Sequence, residues 1–392
     1  MINKRSLGQS GEAGSILGFG CMRLPLAGPK SDEIDLDLAT HMLRTAIDRG
    51  VNYVDTAYPY HSSGDHATPG ASEPFVGQAL RNGYRDKVLL ATKLPTWMVE
   101  SRAHMHKLLD AQLKRLEVYQ IDFYLAHNLN LSVWDKMIAL GLREFMDEAV
   151  KDGRIRFPSF SFHDSYGLFE KVVSGYDWVM TQLQYNYLDQ DYQAGRKGVE
   201  LAAQKGLAVV VMEPLRGGFL VNQVPEESVR VLKAARPEWS LAAWGLNWIW
   251  SRPESSVVLS GMSSMDQVTE NLTLAESFTE GLFTEKDEAA VNKVREDFQK
   301  RLQVNCTACG YCQPCPSGVE IAKNLGFLNQ YYLFDSETLR NTCRFFYAAQ
   351  IAAGKEAANC VACGECQKKC PQGIDIPKFL ARTAEIYQPP KA

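Results

Sequence analysis

Eight of the ten cysteines fall in two short runs within the last quarter of the 392-residue chain. One run is Cys360, Cys363, Cys366 and Cys370, followed by Pro371. Its spacing, C-x2-C-x2-C-x3-C-P, is the bacterial pattern that wraps a [4Fe–4S] cubane. The other is Cys306, Cys309, Cys312 and Cys315, followed by Pro316, and only Gln313 and Pro314 separate its last two cysteines. Three thiolates spaced in this way reach one face of a cubane from a tight loop, and the fourth ligand comes from elsewhere. In two-cluster ferredoxins the fourth cysteine of each run ligates the other cluster. The expected sets are therefore Cys306, Cys309, Cys312 and Cys370 for one cluster, and Cys360, Cys363, Cys366 and Cys315 for the other. Zinc ribbons use paired C-x2-C units with a long spacer. Disulfides need an oxidising compartment, and the polar stretch Met1–Ser10 does not read as a secretory segment. Cys21 lies outside both runs. Cys343 keeps step with Leu339 and Phe346 and reads as a buried apolar residue of a helix.

The other three hundred or so residues must be placed around this module. A hydrophobic content of 45% supplies a core, and a net charge of −4 offers no basic field for nucleic acid. No apolar run approaches the length of a membrane span. The expected setting is a reducing cytoplasm, without nucleic-acid or membrane partners.

From Ile16 to Ser277 a short apolar run, a polar turn and an amphipathic helix recur. The runs are Ile16–Cys21, Asn52–Val54, Val88–Thr92, Ile121–Ala126, Ile155–Phe160, Trp178–Gln182, Ala208–Met212 and Ser256–Ser260. Alternating strands and helices predict a parallel sheet. Eight repeats over about 260 residues predict a closed (β/α)8 TIM barrel. An open nucleotide-binding sheet fits less well: Gly18-Phe19-Gly20 lacks the third glycine of its fingerprint, and Pro25 opposes a following helix. The barrel is expected to cover 1–302, ending in a helix at Glu285–Leu302. An all-α ferredoxin-like module should follow over 303–392, with helices near Val319–Leu333, Glu337–Ala352 and Ile376–Ile386.

Active sites of such barrels lie at the C-terminal strand ends. Here those ends carry Asp55 with Tyr60 shortly after it, Lys93, His127, Ser161 with His163, Gln182, Gln184 with Tyr185, Glu213, and Ser260 with Gly261. A lysine ammonium beside a tyrosine favours phenolate. Such a tyrosine can protonate a carbonyl oxygen that is becoming an alkoxide. An aspartate can hold the lysine, and a histidine can orient the carbonyl. Among the remaining histidines, His61 and His66 sit in a polar, Gly-rich loop and read as solvated. Trp97, Tyr58 and Trp134 are candidates to wall a substrate pocket, although aromatics are more often core.

Several stretches together resemble the aldo-keto reductase superfamily over residues 1–280. They are Asp55-Thr-Ala-Tyr-Pro-Tyr60, Ala91-Thr-Lys93, Ile121-Asp-Phe-Tyr-Leu-Ala-His127, Gln184-Tyr-Asn186, Pro214-Leu-Arg-Gly-Gly218 and Glu270-Asn271. With the cysteine tail the chain resembles the iron–sulfur branch of that superfamily. The resemblance implies a catalytic tetrad of Asp55, Tyr60, Lys93 and His127, a nicotinamide cofactor and reversible carbonyl–alcohol interconversion on a small substrate. It implies that Tyr185 stacks on the nicotinamide and that Ser161 and Gln182 hold its carboxamide. It also implies that Leu215, Gly217 and Gly218 line the pyrophosphate, and that Ser260, Gly261, Gln267, Glu270 and Asn271 line the adenosine end. Phe162 and His163 stand where the family often has asparagine after the serine, which alters one carboxamide grip. Met262-Ser263-Ser264-Met265 holds no cation for a 2′-phosphate. NADPH is the inherited expectation, with NADH as the alternative.

Three functions follow, the first two as a reductase and the third of another class. The clusters exchange electrons with the reductase site or with a redox partner protein, they merely brace the structure, or the chain is an electron-transfer protein whose barrel is a docking body. Coupling one-electron clusters to two-electron hydride chemistry needs a mediator. No flavin motif is evident, although a barrel phosphate site could accept a flavin.

Overall fold

The chain enters through an antiparallel hairpin, β1 (Lys4–Ser6) and β2 (Ala13–Ser15). These strands are too short and too mixed in exposure to carry an alternating pattern. Eight parallel strands then close a barrel: β3 (Leu17–Gly20), β4 (Tyr53–Asp55), β5 (Leu89–Leu94), β6 (Ile121–Leu129), β7 (Ile155–Phe162), β8 (Met180–Gln184), β9 (Ala208–Met212) and β10 (Val257–Ser260). Each pairs with the next, and β10 returns to β3. Every one of the eight apolar runs supplies a strand, so the (β/α)8 architecture stands. This computed structural model describes residues 2–63, 67–333 and 337–387. Among the described residues no helix is long and apolar enough to cross a membrane.

Strand periodicity explains where the polar residues go. Side chains two apart share a face. Tyr53, Leu89, Ala91, Phe123, Leu125, Met180, Ala208, Val210, Val257 and Leu259 form one buried cluster, the barrel interior. Two residues further along the same faces come Asp55 after Tyr53, Lys93 after Ala91, His127 after Leu125 and Gln182 after Met180. The parity that packs the interior therefore points these four polar side chains inward at one barrel mouth. Leu7, between the hairpin strands, belongs to the same cluster and is fully buried. The turn beside it passes so close to β9 that a Cβ on Gly8 would meet the Ala208 amide nitrogen at 2.4 Å.

The chain divides into two compact units. One comprises Met1–Pro214 and Leu246–Phe283 and contains the whole barrel; the other comprises Leu215–Gly245 and Thr284–Ala392. In the second unit the helices Glu226–Ala235 and Glu285–Arg301 pack together. Arg236 and Asp287 make an ion pair of 2.8 Å between them. The Arg236 guanidinium, with further hydrogen bonds from Thr284, holds Asp287 down to about 2. Beyond residue 302 the described residues contain helices and loops but no strand. Val304, Val319, Ile321, Leu325, Leu328, Ile374, Ile376 and Leu380 form their core, with six of the cysteines packed on it. Two buried asparagines staple the module. Asn329 bonds the backbone of Gln303 and Val304, while Asn324 binds the Lys355 carbonyl and accepts from the Tyr347 hydroxyl. Cys343 is buried in the helix Glu337–Ala352, as its spacing predicts.

Candidate active site and cysteine loops

Lys93 is the hub of the barrel mouth and is fully buried. Its ammonium donates to both Asp55 carboxylate oxygens at 2.7 and 2.8 Å and to the Thr56 carbonyl at 2.8 Å. It reaches the Tyr60 hydroxyl at 3.3 Å. Burial pushes Asp55 up and Lys93 down, and their mutual contact opposes both shifts. His127 presents its ring edge-on to Tyr60 with centroids 6.3 Å apart, and Trp97 lies 5.2 Å from His127. The four residues of the sequence-predicted tetrad thus meet at one point.

The loop carrying Tyr60 is held by its own backbone. Tyr58 and Tyr60 carbonyls accept from the amides of Gly70 and Ser72 at 2.8 and 3.2 Å. A Cβ on Gly70 would stand 1.9 Å from the Tyr60 carbonyl oxygen, so only glycine allows this return. Gly70→Ala must displace the tyrosine backbone. An error near 1 Å costs about 100-fold in a positioned reaction. Turnover should fall by about that factor, with cofactor affinity unchanged in a fluorescence titration. Wild-type turnover would show that the Tyr60 position is not limiting.

A second layer that sequence reasoning missed lies behind Lys93. Glu73, fully buried, accepts from Thr92 at 2.7 Å and from Gln112 at 2.5 Å, and pairs with Arg115 at 2.7 Å. Gln112 also donates to the Lys93 carbonyl at 3.0 Å and accepts from the Tyr124 hydroxyl at 2.7 Å. A buried carboxylate is tolerated when its lone pairs are satisfied and its charge is paired, and both hold here. Ser72, next to Glu73, bonds Thr56 at 2.8 Å and the Cys21 carbonyl at 3.0 Å. The start of the helix Ser72–Ala79 therefore ties three strand ends together. Partners spread over residues 21–124 leave no linear signal. Cys21 was also missed: its amide donates to the Asp55 carbonyl at 2.8 Å, and burial, then the Asp55 charge, pushes its thiol up.

His61 corrects the expectation of a solvated loop. It is buried, accepts from the Leu24 amide at 3.1 Å and meets the Ser31 carbonyl at 2.7 Å. Glycine-rich composition hid a packed turn. His66 lies outside the described residues. Of the aromatic wall candidates, Trp97 sits beside His127. Tyr58 packs under Arg115 at 5.0 Å, and Trp134 is buried against Gly175.

Burial pushes the imidazole of His163 down to about 4, against a hydrogen bond with Gln193 and with help from the Lys93 charge. The native state then takes up no proton here until about pH 4, whereas the unfolded chain does so near about pH 6.5. Protons favour the unfolded state in that window, so stability falls as the pH drops. The loss from this group is roughly 2 kcal/mol between pH 7 and 5. His163→Gln should flatten the corresponding limb in denaturant titrations; an unchanged limb would place the acid sensitivity elsewhere.

The residues expected along a cofactor divide between the two units. In the first, Ser161 is buried and accepts from the Asn128 amide at 2.8 Å, and Gln182 is buried near the Met212 sulfur at 3.8 Å. Tyr185 is buried with its ring 5.1 Å from Trp248. Asn271 donates to Ser260 at 3.0 Å, and Gln267 accepts from the Ser263 amide at 2.8 Å, while Glu270 is exposed. Arg23, unsuspected from sequence, lies against Gly261 and pairs with Glu213 at 3.4 Å. Leu215, Gly217 and Gly218 belong to the second unit, where Arg216, Gly217 and Gly218 take φ of 51°, 65° and 88°.

The cysteines gather into two quartets. Burial pushes the Cys312 thiol up, and the neighbouring cysteines that add to the shift are Cys309, Cys306 and Cys370. Burial likewise raises Cys366, with contributions from Cys360, Cys315 and Cys363. These neighbours reproduce the crossed sets expected from the spacing. The second set lines one small cavity, which Cys312 of the first set also borders. Among the described residues no three His, Cys, Asp or Glu side chains converge tightly enough for a single ion. A cubane does not ask them to, because it offers four separate iron corners. The two loops are near copies of each other: Asn305-Cys-Thr-Ala-Cys-Gly-Tyr-Cys-Gln313 and Asn359-Cys-Val-Ala-Cys-Gly-Glu-Cys-Gln367. Ala308 and Ala362 have φ of 54° and 53°, Gly310 and Gly364 of 83° and 78°. The Ala308 and Ala362 amides donate to Cys306 and Cys360 sulfurs, each at 3.4 Å. Amide donors to ligand sulfurs are one way a protein tunes such a cluster.

Comparison with known proteins agrees with this geometry. Residues 16–296 match the Aldo/keto reductase family, and residues 305–376 match the 4Fe-4S dicluster domain. A soybean (Glycine max) protein described as "Probable aldo-keto reductase 1" is 27% identical over 240 residues, or 58% of this chain. The match spans 65% of that relative, just under two thirds of its length. "Uncharacterized oxidoreductase YqkF" of Bacillus subtilis is 24% identical over 329 residues, covering 76% of this chain and 99% of the relative. The holo form of aldo-keto reductase AKR11C1 from Bacillus halodurans superposes with a TM-score of 0.62 at 26% identity, over 75% of this chain and 96% of that one. Its apo form gives 0.58 over the same shares.

Proposed function

The chain belongs to the aldo/keto reductase family and carries a 4Fe–4S domain, and from that premise we propose that it interconverts small carbonyl compounds and alcohols with a nicotinamide cofactor. Residues 1–302 act as the reductase part and 303–392 as the cluster part, holding two [4Fe–4S] clusters for one-electron transfer. The observation that carries the reading is the buried contact of Lys93 with Asp55 and Tyr60.

The nicotinamide, when bound, supplies hydride to the carbonyl carbon. The chain supplies the rest. Tyr60 gives its phenolic proton to the carbonyl oxygen, so that hydride and proton together make the alcohol. The Lys93 ammonium stabilises the phenolate left behind. Asp55 and the Thr56 carbonyl fix that ammonium, and His127 donates to the carbonyl and orients it. Ser161, Gln182 and Tyr185 are assigned to the nicotinamide end, Leu215, Gly217 and Gly218 to the pyrophosphate, and Ser260, Gly261, Gln267, Glu270 and Asn271 to the adenosine end. NADPH is the cofactor carried over from the family, with NADH as the alternative, because Met262–Met265 holds no cation and the Arg23 guanidinium is paired with Glu213.

The two cysteine quartets fit cubanes by donor type and grouping, and when loaded they give the chain single-electron capacity. The deciding experiment is an absorption spectrum of anaerobically purified protein before and after NADPH, followed by small aldehydes and ketones. Broad iron–sulfur absorption and carbonyl-dependent NADPH oxidation are expected. A failure to oxidise either nicotinamide with any carbonyl by fully iron-loaded protein would reject the reductase reading and favour an electron-transfer role for the chain.

A further inference from the structure

We propose that the second cysteine loop, residues 360–369, is the docking face for a small acidic one-electron carrier protein, and that single electrons enter the chain through the cluster this loop holds. The two loops share sequence, backbone turns and amide–sulfur hydrogen bonds, so their differences are informative. In the first loop Thr307 is 2% exposed and Cys309 is half-buried. At the equivalent places Val361 is 71% exposed and Cys363 is exposed. Asn305, where the first loop starts, accepts from the buried Arg216 at 2.8 Å. Its counterpart Asn359 donates to the Gly354 carbonyl at 3.0 Å in an exposed position. The first loop is covered and the second is open. Ala358 and Ala362, on either side of Val361 in sequence, are exposed too. A small apolar rim around an open ligand cysteine suits electron-transfer encounters, which bury less area than stable complexes.

Charge selects the carrier. No charged residue stands between the cysteines of the first run, whereas the second holds Glu365, Lys368 and Lys369. Lys368 pairs with Glu365 at 2.7 Å, and Lys369 borders the cavity lined by the second quartet. One positive charge is left over beside the exposed Cys363. Beyond the run, Asp375 and Lys378 offset each other. The whole chain carries −4, so a local excess of cation gives an acidic carrier its orientation.

In the step itself one electron leaves the reduced iron–sulfur centre of the carrier and enters the second cluster, and no bond forms or breaks. Solvent exposure and a neighbouring cation both favour the reduced, more negative cluster. The second cluster therefore accepts its electron at a higher potential than the first. The inference rests on the two proposed clusters and not on the reductase chemistry.

The test uses the full iron-loaded chain with plant-type ferredoxin as the carrier, in calorimetry, redox titration and rapid-freeze EPR. The clusters should titrate in two steps, and Cys366→Ala should lose the upper one. The signal that reduced ferredoxin generates first should be the signal missing from Cys366→Ala. Its rate of appearance should fall as salt rises. Lys369→Glu should slow it about tenfold and weaken ferredoxin binding to match, at unchanged iron content and unchanged final reduction by dithionite. Val361→Glu should do the same and serves if Lys369→Glu loses iron. Dithionite-reduced wild-type protein reports the clusters independently: fewer than two EPR signals there would remove the premise. Two signals with no reduction by ferredoxin would overturn the docking face alone. So would wild-type rates in both surface variants, or a first signal that survives in Cys366→Ala.

Discussion

Tyr60→Phe should abolish the proposed carbonyl reduction and leave the fold and cofactor affinity intact. The change deletes one hydroxyl, which the Lys93 ammonium approaches at 3.3 Å. The ammonium keeps Asp55 and the Thr56 carbonyl, so no buried charge is stranded. A positioned acid is worth about 10²–10⁴ in rate, and the loss should lie in kcat with cofactor affinity within about twofold. Lys93→Met removes the same activity by another route and behaves differently in stability. It strands Asp55, which is 2% exposed, without its counter-charge. Breaking a buried pair costs about 3–5 kcal/mol, so Lys93→Met should unfold at clearly lower denaturant than Tyr60→Phe. Adding Asp55→Asn should restore much of that stability and none of the turnover. The checks are single-turnover NADPH oxidation and urea titration of the same preparations. Near-normal turnover by Tyr60→Phe would remove the tyrosine from the chemistry.

The barrel could be read from the chain because its signal is local. A buried parallel strand is a short apolar run between turn residues, and each of the eight runs needed only its own neighbours to be recognised. The strand ends were readable for the same reason: parity carries Tyr53 to Asp55, Ala91 to Lys93 and Leu125 to His127 on one inward face. What could not be read depends on pairs distant in sequence. Glu73, Gln112, Arg115 and Tyr124 make a satisfied buried network, yet each alone resembles an ordinary helix or strand residue. His61 looked solvated because composition reports nothing about a turn folded back on Leu24 and Ser31. The hairpin β1–β2 has three residues per strand, too few to show a period. The near-identity of Asn305–Gln313 and Asn359–Gln367 was legible in principle. It emerges when the two cysteine runs are aligned on each other rather than each on a ligand pattern. The grouping of 215–245 with 284–392 was not legible, because a loop after a barrel strand reads as barrel until its packing is seen.

Removing single cysteines should separate the two proposed clusters in a crossed pattern. Anaerobic protein should hold about eight irons and eight sulfides per chain, as two cubanes require. Cys366→Ala and Cys312→Ala should each lose about half of the iron, and their EPR spectra should show different surviving clusters. The informative variants are the fourth cysteines. Cys370 closes the second run in sequence but stands with Cys306, Cys309 and Cys312. Cys315 closes the first run but stands with Cys360, Cys363 and Cys366. Cys370→Ala should therefore leave the same spectrum as Cys312→Ala, and Cys315→Ala the same as Cys366→Ala. Combining Cys370→Ala with Cys312→Ala should cost no further cluster, whereas Cys370→Ala with Cys366→Ala should empty both sites. Loss of both clusters also removes the anchors that hold the two loops to the core of Val304, Ile321, Leu325 and Ile376. The double variant should consequently unfold its cysteine module first, because metal binding contributes directly to folding in small domains. Pairing of Cys370 with Cys366 in one cluster would sink the crossed arrangement, and stoichiometric zinc without iron would sink the cubanes themselves.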